Sequence, residues 1–427
     1  MIRATTRNAR VVGRTMGRAD NLNEVLRRHH SVAERCLSPL GRRLCYPQGG
    51  IPAQAAEAKG CQYNATIGQV TNDDGSASAL SCMAEQITGL PPEEVFLYAP
   101  QGGRPDLRHL WKTRLEQRIG CAMSLPLVTS GLTHGISIAA DLFADSQTDV
   151  FVPSPGWCNY TQIFQTRRGA RVHPVSFMTG SPHKWDTSGL LHRLSKVKHK
   201  AIVVFNSPNN PMGYTPTIEE AREFTRALST VTCPLVVICD DAYQGMVWES
   251  GLAQDGCFGD LTRCDNLLAV KVDGATKELF FFGGRVGFIS FGVDGEAGAV
   301  LEEKARALAR ATVSSISAPA QALVCRALLS PDLESQQAHL RDALRQRYVA
   351  LKEAISDSNL RHWPFNSAFF ALFDVGEQCD TIRSRLIANS IGVVSFGDVG
   401  GLRLSYSTLR ASDLAHVVDG IASAVRG

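Results

Sequence analysis

The feature that most restricts the fold is a recurring unit, a short apolar run that ends in a polar or glycine-containing turn. Five such runs are LPLVTSG, DVFVPSPGW, AIVVFNSPNNP, PLVVICDDAY and NLLAVKV. Segments with helical periodicity, such as LTHGISIAADLF and TIEEAREFTRALST, separate some of these runs. The alternation predicts an α/β fold with a mostly parallel sheet wrapped by helices, in which ligands bind at the carboxyl ends of the strands. The residues just after each strand are therefore the first candidates for function.

Composition limits the classes of protein that this chain can represent. With 427 residues, of which 44% are hydrophobic and 20% charged, it is long enough for two domains with one substantial core. It contains no run of about 18 apolar residues, which argues against a membrane span. The twelve cysteines form no CxxC pair and no Cys/His cluster at zinc spacing. We therefore expect no metal site and no redox motif, but buried thiols in a reducing compartment.

Positive charge is concentrated at the N-terminus. Residues 1–45 carry ten arginines and three acids, a local charge of +7, which leaves the rest of the chain at about −4. The body of the protein therefore lacks the basic character that suits nucleic acid. On a helix, one face would carry the five arginines typical of a mitochondrial transit peptide: Arg3, Arg7, Arg10, Arg14 and Arg18. That interpretation predicts a mitochondrial matrix location; the alternative is a disordered or non-native arm on a cytoplasmic protein.

Polar and aromatic side chains follow the predicted strands at the points where the strands end. A strand-to-helix turn contains Ser130, Gly131, Leu132 and Thr133, where free backbone N–H groups and the helix dipole favour a phosphate. The other strand ends supply Trp157, Asn210, Asp240, Asp241, Tyr243, Lys277 and Arg285. Each residue alone has an ordinary structural explanation, as part of a turn, the core or a helix cap. Their order and joint occurrence are what favour a function.

Together these motifs resemble the fold type I pyridoxal-phosphate enzymes, specifically the class I/II aminotransferases. An Asn-Pro-x-Gly turn, an Asp-x-x-Tyr after a strand, and a Lys followed eight positions later by Arg occur in the family's order. The matching positions are Asn210 to Gly213, Asp240 with Tyr243, and Lys277 with Arg285. Trp157, Arg403, Tyr98 and Gly68 extend the match, which covers roughly residues 46–427 and is nearest to the aspartate and aromatic aminotransferase branch.

The resemblance implies catalytic roles toward pyridoxal 5′-phosphate. Lys277 would form a Schiff base with the cofactor and then move a proton between the substrate and the cofactor. Partial desolvation beside the apolar LFFF run would lower the pKa of Lys277 and favour the neutral amine that this role requires. Asp240 would pair with the pyridine nitrogen, because Asp241 would point to the opposite side of an extended segment.

The other matching residues would bind the cofactor or the substrate. Tyr243, the third catalytic candidate, and Asn210 would hydrogen-bond the 3′ oxygen of the ring and adjust the basicity of the imine, and Trp157 would stack on the ring face. The phosphate ligands would be Arg285, Ser130, Gly131, Leu132, Thr276 and, across a dimer interface, Tyr98. Arg403 would pair with the substrate α-carboxylate, beside Gly68, Trp157 and Asn210.

One position departs from the family pattern. Many relatives place a phosphate-binding serine three residues before the lysine, where this chain has Gly274. We expect the remaining donors to keep the phosphate bound, with the missing hydroxyl supplied by Thr276 or Thr133.

The same resemblance implies an architecture and a reaction. Residues 1–45 would form an arm, residues 100–310 a large domain with a seven-stranded sheet, and residues 46–99 with 311–427 a smaller α/β domain. The stretch GEAGAVLEEKARALARATVSS would connect the two domains, and two subunits would share each active site in a homodimer. The expected reaction moves an amino group from an L-amino acid to a 2-oxo acid. A lyase, decarboxylase or synthase with the same cofactor, and a non-catalytic relative, stay open as alternatives, and no second arginine can be assigned to a dicarboxylate substrate.

Overall fold

The computed structural model of the protein describes residues 17–47, 49–180 and 183–427. Its strands are β1 (Tyr63–Asn64), β2 (Leu127–Ser130), β3 (Thr148–Pro153), β4 (Arg171–Val175), β5 (Met178–Thr179), β6 (Lys184–Trp185), β7 (Lys200–Asn206), β8 (Leu235–Asp240), β9 (Leu267–Asp273), β10 (Val286–Phe291), β11 (Phe370–Asp374), β12 (Ile391–Gly392), β13 (Val394–Phe396) and β14 (Gly401–Ser405).

The helices of the described residues begin with α1 at residues 17–29. The others are α2 (Ser31–Cys36), α3 (Pro39–Arg43), α4 (Ile51–Glu57), α5 (Ser81–Ala84), α6 (Pro92–Phe96), α7 (Pro105–Ile119), α8 (Leu132–Phe143), α9 (Ser188–Leu194), α10 (Ile218–Leu228), α11 (Phe258–Leu261), α12 (Ala275–Glu278), α13 (Gly295–Thr312), α14 (Ala318–Leu329), α15 (Leu333–Ser356), α16 (Cys379–Ala388) and α17 (Leu414–Arg426). A π-helical segment spans Thr161–Arg167, and short 3-10 turns lie at Ile87–Gly89, Phe282–Gly284, Gly376–Gln378, Tyr406–Thr408 and Ala411–Asp413.

The central element is a seven-stranded sheet in the order β2-β10-β9-β8-β7-β3-β4. Strand β10 runs antiparallel to both of its neighbours, and the remaining pairs are parallel. The five apolar runs identified in the sequence supply β2, β3, β7, β8 and β9, and β4 and β10 complete the sheet. The predicted α/β fold with a mostly parallel seven-stranded sheet is therefore confirmed.

Helices cover both faces of this sheet, which is why its strands are apolar on both sides. Every residue of β3 and β10 is buried. On one face α8 packs so closely that a Cβ on Gly135 would lie 2.9 Å from the Val272 side chain of β9. On the other face, Trp111 of α7 stacks on Phe288 of β10 with ring centroids 4.3 Å apart. Trp111 Nε1 also donates to Asp273 at 3.2 Å, so the successive β9 residues Val272 and Asp273 face different helices.

A second, smaller sheet is built from the C-terminal part of the chain. It is antiparallel in the order β11-β14-β13, and the N-terminal strand β1 pairs in parallel with β12. Helix α13 forms where the connector was predicted, and helices α15 and α16 both pack on α17. The β1–β12 pair brings together N-terminal and C-terminal segments, both of which were assigned to the small domain. The domain boundaries after residues 99 and 310 stay a prediction.

The N-terminal arm is helical where the structure describes it. Helices α1, α2 and α3 follow one another, and Arg43 at the end of α3 donates from Nε to the Thr166 carbonyl at 3.3 Å. Four of the arginines on which the targeting interpretation depends lie outside the described residues: Arg3, Arg7, Arg10 and Arg14. Across the described ranges, no helix combines the length and apolar character that crossing a lipid bilayer requires.

Candidate active site

The strand ends identified in the sequence meet at one edge of the seven-stranded sheet. Asp240 is the last residue of β8, and Asn210 lies four residues beyond the end of β7. Lys277 lies in α12, four residues after β9 ends at Asp273. Because β7, β8 and β9 are parallel neighbours, their carboxyl ends bring these side chains to the same edge.

Asp240 is buried with one carboxylate oxygen hydrogen-bonded and the other unpaired. Its Oδ2 accepts a hydrogen bond from the Tyr160 hydroxyl, and its backbone carbonyl accepts one from Asn206 Nδ2 at 2.9 Å. Oδ1 has no hydrogen-bond partner among the described residues. Burial raises the pKa of Asp240 to about 6, against the opposing effects of Tyr160 and Lys277. An unpaired buried carboxylate oxygen fits the protonated ring nitrogen that pyridoxal phosphate would present.

The aromatic turn after β3 supports Asp240 from one side. Trp157 lies edge-on to Tyr160, with ring centroids 5.3 Å apart, and Tyr160 is fully buried. Sequence reasoning selected Trp157 but missed Tyr160, although the segment SPGWCNY contains both. The available signal was that a buried tyrosine needs a partner for its hydroxyl, and Asp240 is that partner.

Lys277 lies beside an aromatic ring rather than a carboxylate. Its Nζ is 4.9 Å from the centroid of the Tyr243 ring, which itself packs edge-on against Phe369 and Phe370. Burial lowers the pKa of Lys277 to about 8; Asp240 opposes this shift and Arg285 adds to it. A lysine with this pKa is partly neutral at physiological pH, and the neutral amine is the form that attacks a carbonyl group.

The turn between β2 and α8, together with Arg285, forms a cradle for an anion. Gly131 precedes α8 with a φ of +75°, in the region that favours glycine. A Cβ on Gly131 would lie 2.4 Å from Arg285 Nη2, so glycine is needed for the guanidinium to lie against this turn. The N–H groups of Leu132 and Thr133 lie in the first turn of α8, where they lack intrahelical acceptors. Together with the arginine they suit a phosphate.

Gly274, the departure from the family pattern, lies where the end of β9 and the start of β10 are in close contact. A Cβ on Gly274 would lie 2.5 Å from Gly287 Cα and 2.8 Å from the Val286 carbonyl oxygen. A serine here would collide with the backbone of β10. The hydroxyl of Thr276 already donates to the Val286 carbonyl at 3.1 Å. Thr133 is the freer of the two predicted replacements, because no hydrogen bond joins its hydroxyl to another described residue.

Arg403 of β14 reaches this edge from the smaller sheet. Its Nη1 donates to Asn210 Oδ1 at 2.9 Å and its Nη2 to the Thr66 carbonyl at 2.6 Å. The guanidinium lies 4.5 Å from the Phe370 ring centroid, and Nε is buried without a partner among the described residues. Burial lowers the pKa of Arg403 to about 10, so the group stays charged at neutral pH. A buried, charged arginine with no ion pair in the described chain suits the carboxylate of a ligand.

Gly68 lies over the same phenylalanine ring. A Cβ on Gly68 would be 2.6 Å from Phe370 Cζ and 3.7 Å from the Tyr243 hydroxyl oxygen, so the segment passes this closely only with glycine. Sequence reasoning missed Phe370, although it is near Gly68, Tyr243 and Arg403. Its one sequence signal is a place in an apolar strand, which any core residue shares.

Two predicted site residues are drawn less closely into this arrangement. Tyr98 is 93% exposed and makes no hydrogen bond to any other described residue. The backbone N–H of Ser130 donates to His134 Nδ1 at 3.1 Å, which leaves the Ser130 hydroxyl as its donor toward a ligand. A single chain therefore brings Asp240, Lys277 and Arg403 to one edge of the sheet, while Tyr98 stays exposed to solvent.

The fold and the geometry at the sheet edge define a class, the α/β enzymes that bind a phosphate-bearing cofactor beside a lysine at the carboxyl ends of parallel strands. The family model for aminotransferases of class I and II matches residues 64–421, and the chain belongs to that family. It is a pyridoxal-phosphate-dependent aminotransferase, as the sequence motifs predicted.

Relatives of known name are distant in sequence but match most of the chain. A probable aspartate/prephenate aminotransferase of Aquifex aeolicus is 25% identical over 332 residues, which cover 73% of this chain and 79% of the relative. The mitochondrial aspartate aminotransferase of Xenopus tropicalis is 22% identical over 328 residues, covering 73% and 76% of the two chains.

Solved structures share the fold at still lower identity. An aminotransferase of Anaerococcus prevotii has a TM-score of 0.82 at 19% identity, covering 92% of this chain and all of that one. The aspartate aminotransferase of Thermus thermophilus with maleate has a TM-score of 0.76 at 21% identity, covering 91% and 99%. The architecture is thus common to proteins whose sequences have diverged widely.

Proposed function

We propose that Lys277 carries pyridoxal 5′-phosphate, while Asp240 binds its ring, Arg285 its phosphate and Arg403 the amino acid substrate. The observation that carries this proposal is the pair at the ends of β8 and β9. Asp240 has one unpaired oxygen, and the nearby Lys277 amine has a pKa lowered to about 8. When bound, the cofactor supplies an electron sink for the bond that breaks at the substrate α-carbon.

The side chains around the ring have separate tasks. Asp240 Oδ1 accepts the ring N–H and keeps that nitrogen protonated. Tyr243 donates to the 3′ oxygen, and burial raises its pKa so that it stays protonated at neutral pH. Because Asn210 Oδ1 accepts a hydrogen bond from Arg403, its Nδ2 is left to donate to the same oxygen. Trp157 covers one ring face.

The substrate is oriented between Arg403 and Lys277. Arg403 binds the α-carboxylate, and its buried Nε supplies a donor that no described residue uses. This orientation directs the Cα–H bond toward Lys277 Nζ, which removes that proton and later returns one. Gly68 and Phe370 border the substrate and exclude water from it.

A pH titration of cofactor attachment tests the Asp240–Lys277 pair. Attachment of pyridoxal phosphate to the cofactor-free protein, followed by its visible absorbance, should rise with a midpoint at about pH 8. Asp240→Asn should move this midpoint to lower pH, because the Asp240 charge stabilises the Lys277 ammonium. The pairing is refuted if the midpoint is the same in the variant and the wild type.

We also propose aspartate as an amino donor. The names of the relatives from Aquifex aeolicus and Nitrosomonas europaea, aspartate/prephenate aminotransferases, support this choice. A panel of aspartate, glutamate, alanine and tyrosine, each mixed with the cofactor-loaded protein, should give the fastest spectral half-reaction with aspartate. A faster half-reaction with alanine or tyrosine would reject aspartate as the preferred donor.

An exposed apolar stretch supports a homodimer in which Tyr98 reaches the cradle of the partner subunit. Phe96, Leu97 and Tyr98 are 83%, 63% and 93% exposed, an unusual run for a surface that faces only water. Mixing Lys277→Ala with Tyr98→Ala should restore activity above the sum of the separate variants, because one site of each mixed dimer would then carry both native side chains. No gain after dissociation and reassembly would place Tyr98 outside the partner's site.

For location, we propose targeting to the mitochondrial matrix by the arginine-rich N-terminal segment, with the cytoplasm as the alternative. The support is the acid-free composition of residues 1–18, which carry five arginines. A fluorescent protein fused behind residues 1–45 should enter mitochondria, and five Arg→Gln substitutions should abolish entry. Diffuse fluorescence of the unaltered fusion would favour the cytoplasm.

A further inference from the structure

Asp240 and Lys277, the proposed pair after β8 and β9, are each followed directly by an acid that points elsewhere. Asp241 follows Asp240, and Glu278 follows Lys277; both acids are 2% exposed. Asp240 accepts its hydrogen bond from Tyr160, whereas Asp241 pairs with Lys271. The chain thus alternates between a group directed to the ligand and a group directed into the protein.

Asp241 belongs to a buried group of charges, which we name the Lys271 cluster: Lys271, Asp241, Asp273 and Gln244. Lys271 of β9 is fully buried. Its Nζ donates to Asp241 Oδ2 and to Gln244 Oε1, the latter at 2.9 Å, and lies 3.8 Å from Asp273 Oδ2. Asp273 also accepts from Trp111 Nε1 at 3.2 Å, which places the cluster on the α7 face of the sheet.

Glu278 is held on the same side by two arginines of α7. Its Oε1 accepts from Arg114 Nη2 at 3.0 Å and from Arg118 Nη1 at 3.2 Å. Its backbone carbonyl accepts from Gln337 Nε2 at 2.7 Å. The short helix that carries Lys277 is therefore anchored at the next residue by side chains from α7 and α15.

We propose that Lys271 is a positioning residue that sets the ionisation of Asp240 and Lys277 by neutralising the buried carboxylates behind them. Lys271 contacts neither the ring site nor the substrate site; it acts through Asp241, the neighbour of Asp240, and through Asp273, the last residue of β9. The inference rests on the function proposed above for Asp240 and Lys277.

Charges in the Lys271 cluster can influence Asp240 and Lys277 because both regions are buried, and burial weakens the screening of charge by water. Burial would lower the pKa of Lys271, but Asp241 and Asp273 raise it above the ordinary value, so the lysine stays charged. Burial raises the pKa of Asp240, and the charge of Asp241 adds a smaller upward shift. Other groups facing Lys271 are Gln244, Phe258, Cys257 and Arg118. Those facing Asp240 and Lys277 are Tyr160, Tyr243 and Arg285.

The test is a pH titration of the visible absorbance of the cofactor-loaded protein. This absorbance reports the protonation of the Lys277 nitrogen through which the cofactor would be attached. Lys271→Met leaves one more uncompensated negative charge and should raise the midpoint by roughly one pH unit. Asp241→Asn removes a negative charge and should lower the midpoint. The double variant Lys271→Met/Asp241→Asn restores the net charge and should return the midpoint close to that of the wild type.

A matched control separates this effect from loss of stability. Arg108→Met breaks another largely buried ion pair, in which Arg108 Nη2 lies 2.7 Å from Glu302 Oε1. It should lower the unfolding temperature without moving the midpoint. The proposal is overturned if both single variants leave the midpoint unchanged or shift it in the same direction. If Lys271→Met does not fold, the downward shift of Asp241→Asn and the return in the double variant decide the question.

Failure of the proposed function would give a different result. If Lys277 does not carry the cofactor, the pH-dependent absorbance survives in Lys277→Ala. If only the role of Lys271 is wrong, the absorbance still depends on Lys277, but the midpoint does not change when the charge of the Lys271 cluster is changed.

Discussion

Lys271 and Lys277 lie six residues apart at the end of one strand, yet their environments shift their pKa values in opposite directions. Lys271 lies between Asp241 and Asp273, and these carboxylates raise its pKa despite complete burial. Lys277 has the Tyr243 ring beside it instead, and burial lowers its pKa to about 8. Burial alone therefore does not decide the charge of a lysine, because the nearest carboxylates decide how much of the desolvation cost is offset.

Two buried acids, Glu278 and Asp240, show the same contrast between a paired and an unpaired charge. Burial would raise the pKa of Glu278, but Arg118 and Arg114 lower it below the ordinary value. Asp240 has no ion pair among the described residues, and burial raises its pKa to about 6. The α7 face thus pairs its charges within the protein, while the ligand side keeps groups available for a cofactor.

The largest expected effect comes from removing Lys277 from the ligand side, the sheet edge that carries Asp240, Lys277 and Arg403. Lys277→Ala should lower kcat by at least about 10,000-fold, because the variant lacks the amine that we propose carries the cofactor. The unfolding temperature should change little, because Lys277 makes no ion pair within the described chain. Lys277→Arg keeps the charge without the nucleophile and should be equally inactive; substantial transamination by either variant would refute the assigned role.

Arg403→Lys tests whether Arg403 recognises the substrate carboxylate. It should lower kcat/KM for amino acids about 100-fold, because an ammonium cannot form two parallel hydrogen bonds to a carboxylate. Amines that lack the α-carboxylate serve as control substrates and should lose little. An equal loss on both substrate sets would indicate damage to packing at Phe370 rather than lost recognition.

Glu278→Gln tests how much the ion pairs on the α7 face contribute to the free energy of unfolding. The change removes the carboxylate that Arg114 and Arg118 share, although Arg118 keeps an ion pair with Asp255, and should lower the free energy of unfolding at neutral pH by about 3 kcal/mol. Because the folded pKa of Glu278 is lowered, its stabilisation is present above the ordinary value of 4.5 and is lost as the pH falls through the folded pKa. Denaturant unfolding at several pH values should show the two proteins converging in acid.

The control for this measurement is an exposed pair. Glu219 lies 3.8 Å from Arg222, and both side chains are more than 60% exposed. Glu219→Gln should change the free energy of unfolding by no more than about 0.5 kcal/mol. Equal losses in the two variants would mean that burial does not distinguish the pairs.

Gly274→Ser, apart from the exposed control, should have the smallest effect; position 274 lies where the end of β9 contacts β10. Restoring the family's serine should cost about 1–3 kcal/mol of stability and weaken cofactor binding, because its Cβ would lie 2.5 Å from Gly287 Cα. Gly274→Ala is the matched variant without the hydroxyl. Tighter cofactor binding by the serine variant than by the wild type would show that β10 can move aside.

The sheet and the strand-end residues were predictable because both depend on local patterns. Strands buried on two faces are continuous apolar runs, and helices such as α8 follow the 3.6-residue periodicity. The antiparallel direction of β10 was not predictable in this way, because it depends on which strands become its neighbours. Within the site, Tyr160 was missed because its partner Asp240 is 80 residues away.

The sequence by itself determined the family, the cofactor and the order of the polar residues along the strand ends, because these depend on residue types at short spacings. Only the tertiary structure decided which lysine is neutralised by carboxylates and which stays available, and why position 274 is glycine. These properties depend on distances between segments that folding brings together, as in the contact of Arg403 with Asn210, 193 residues earlier. Coulomb energies and steric contacts follow those distances, not the separation along the chain.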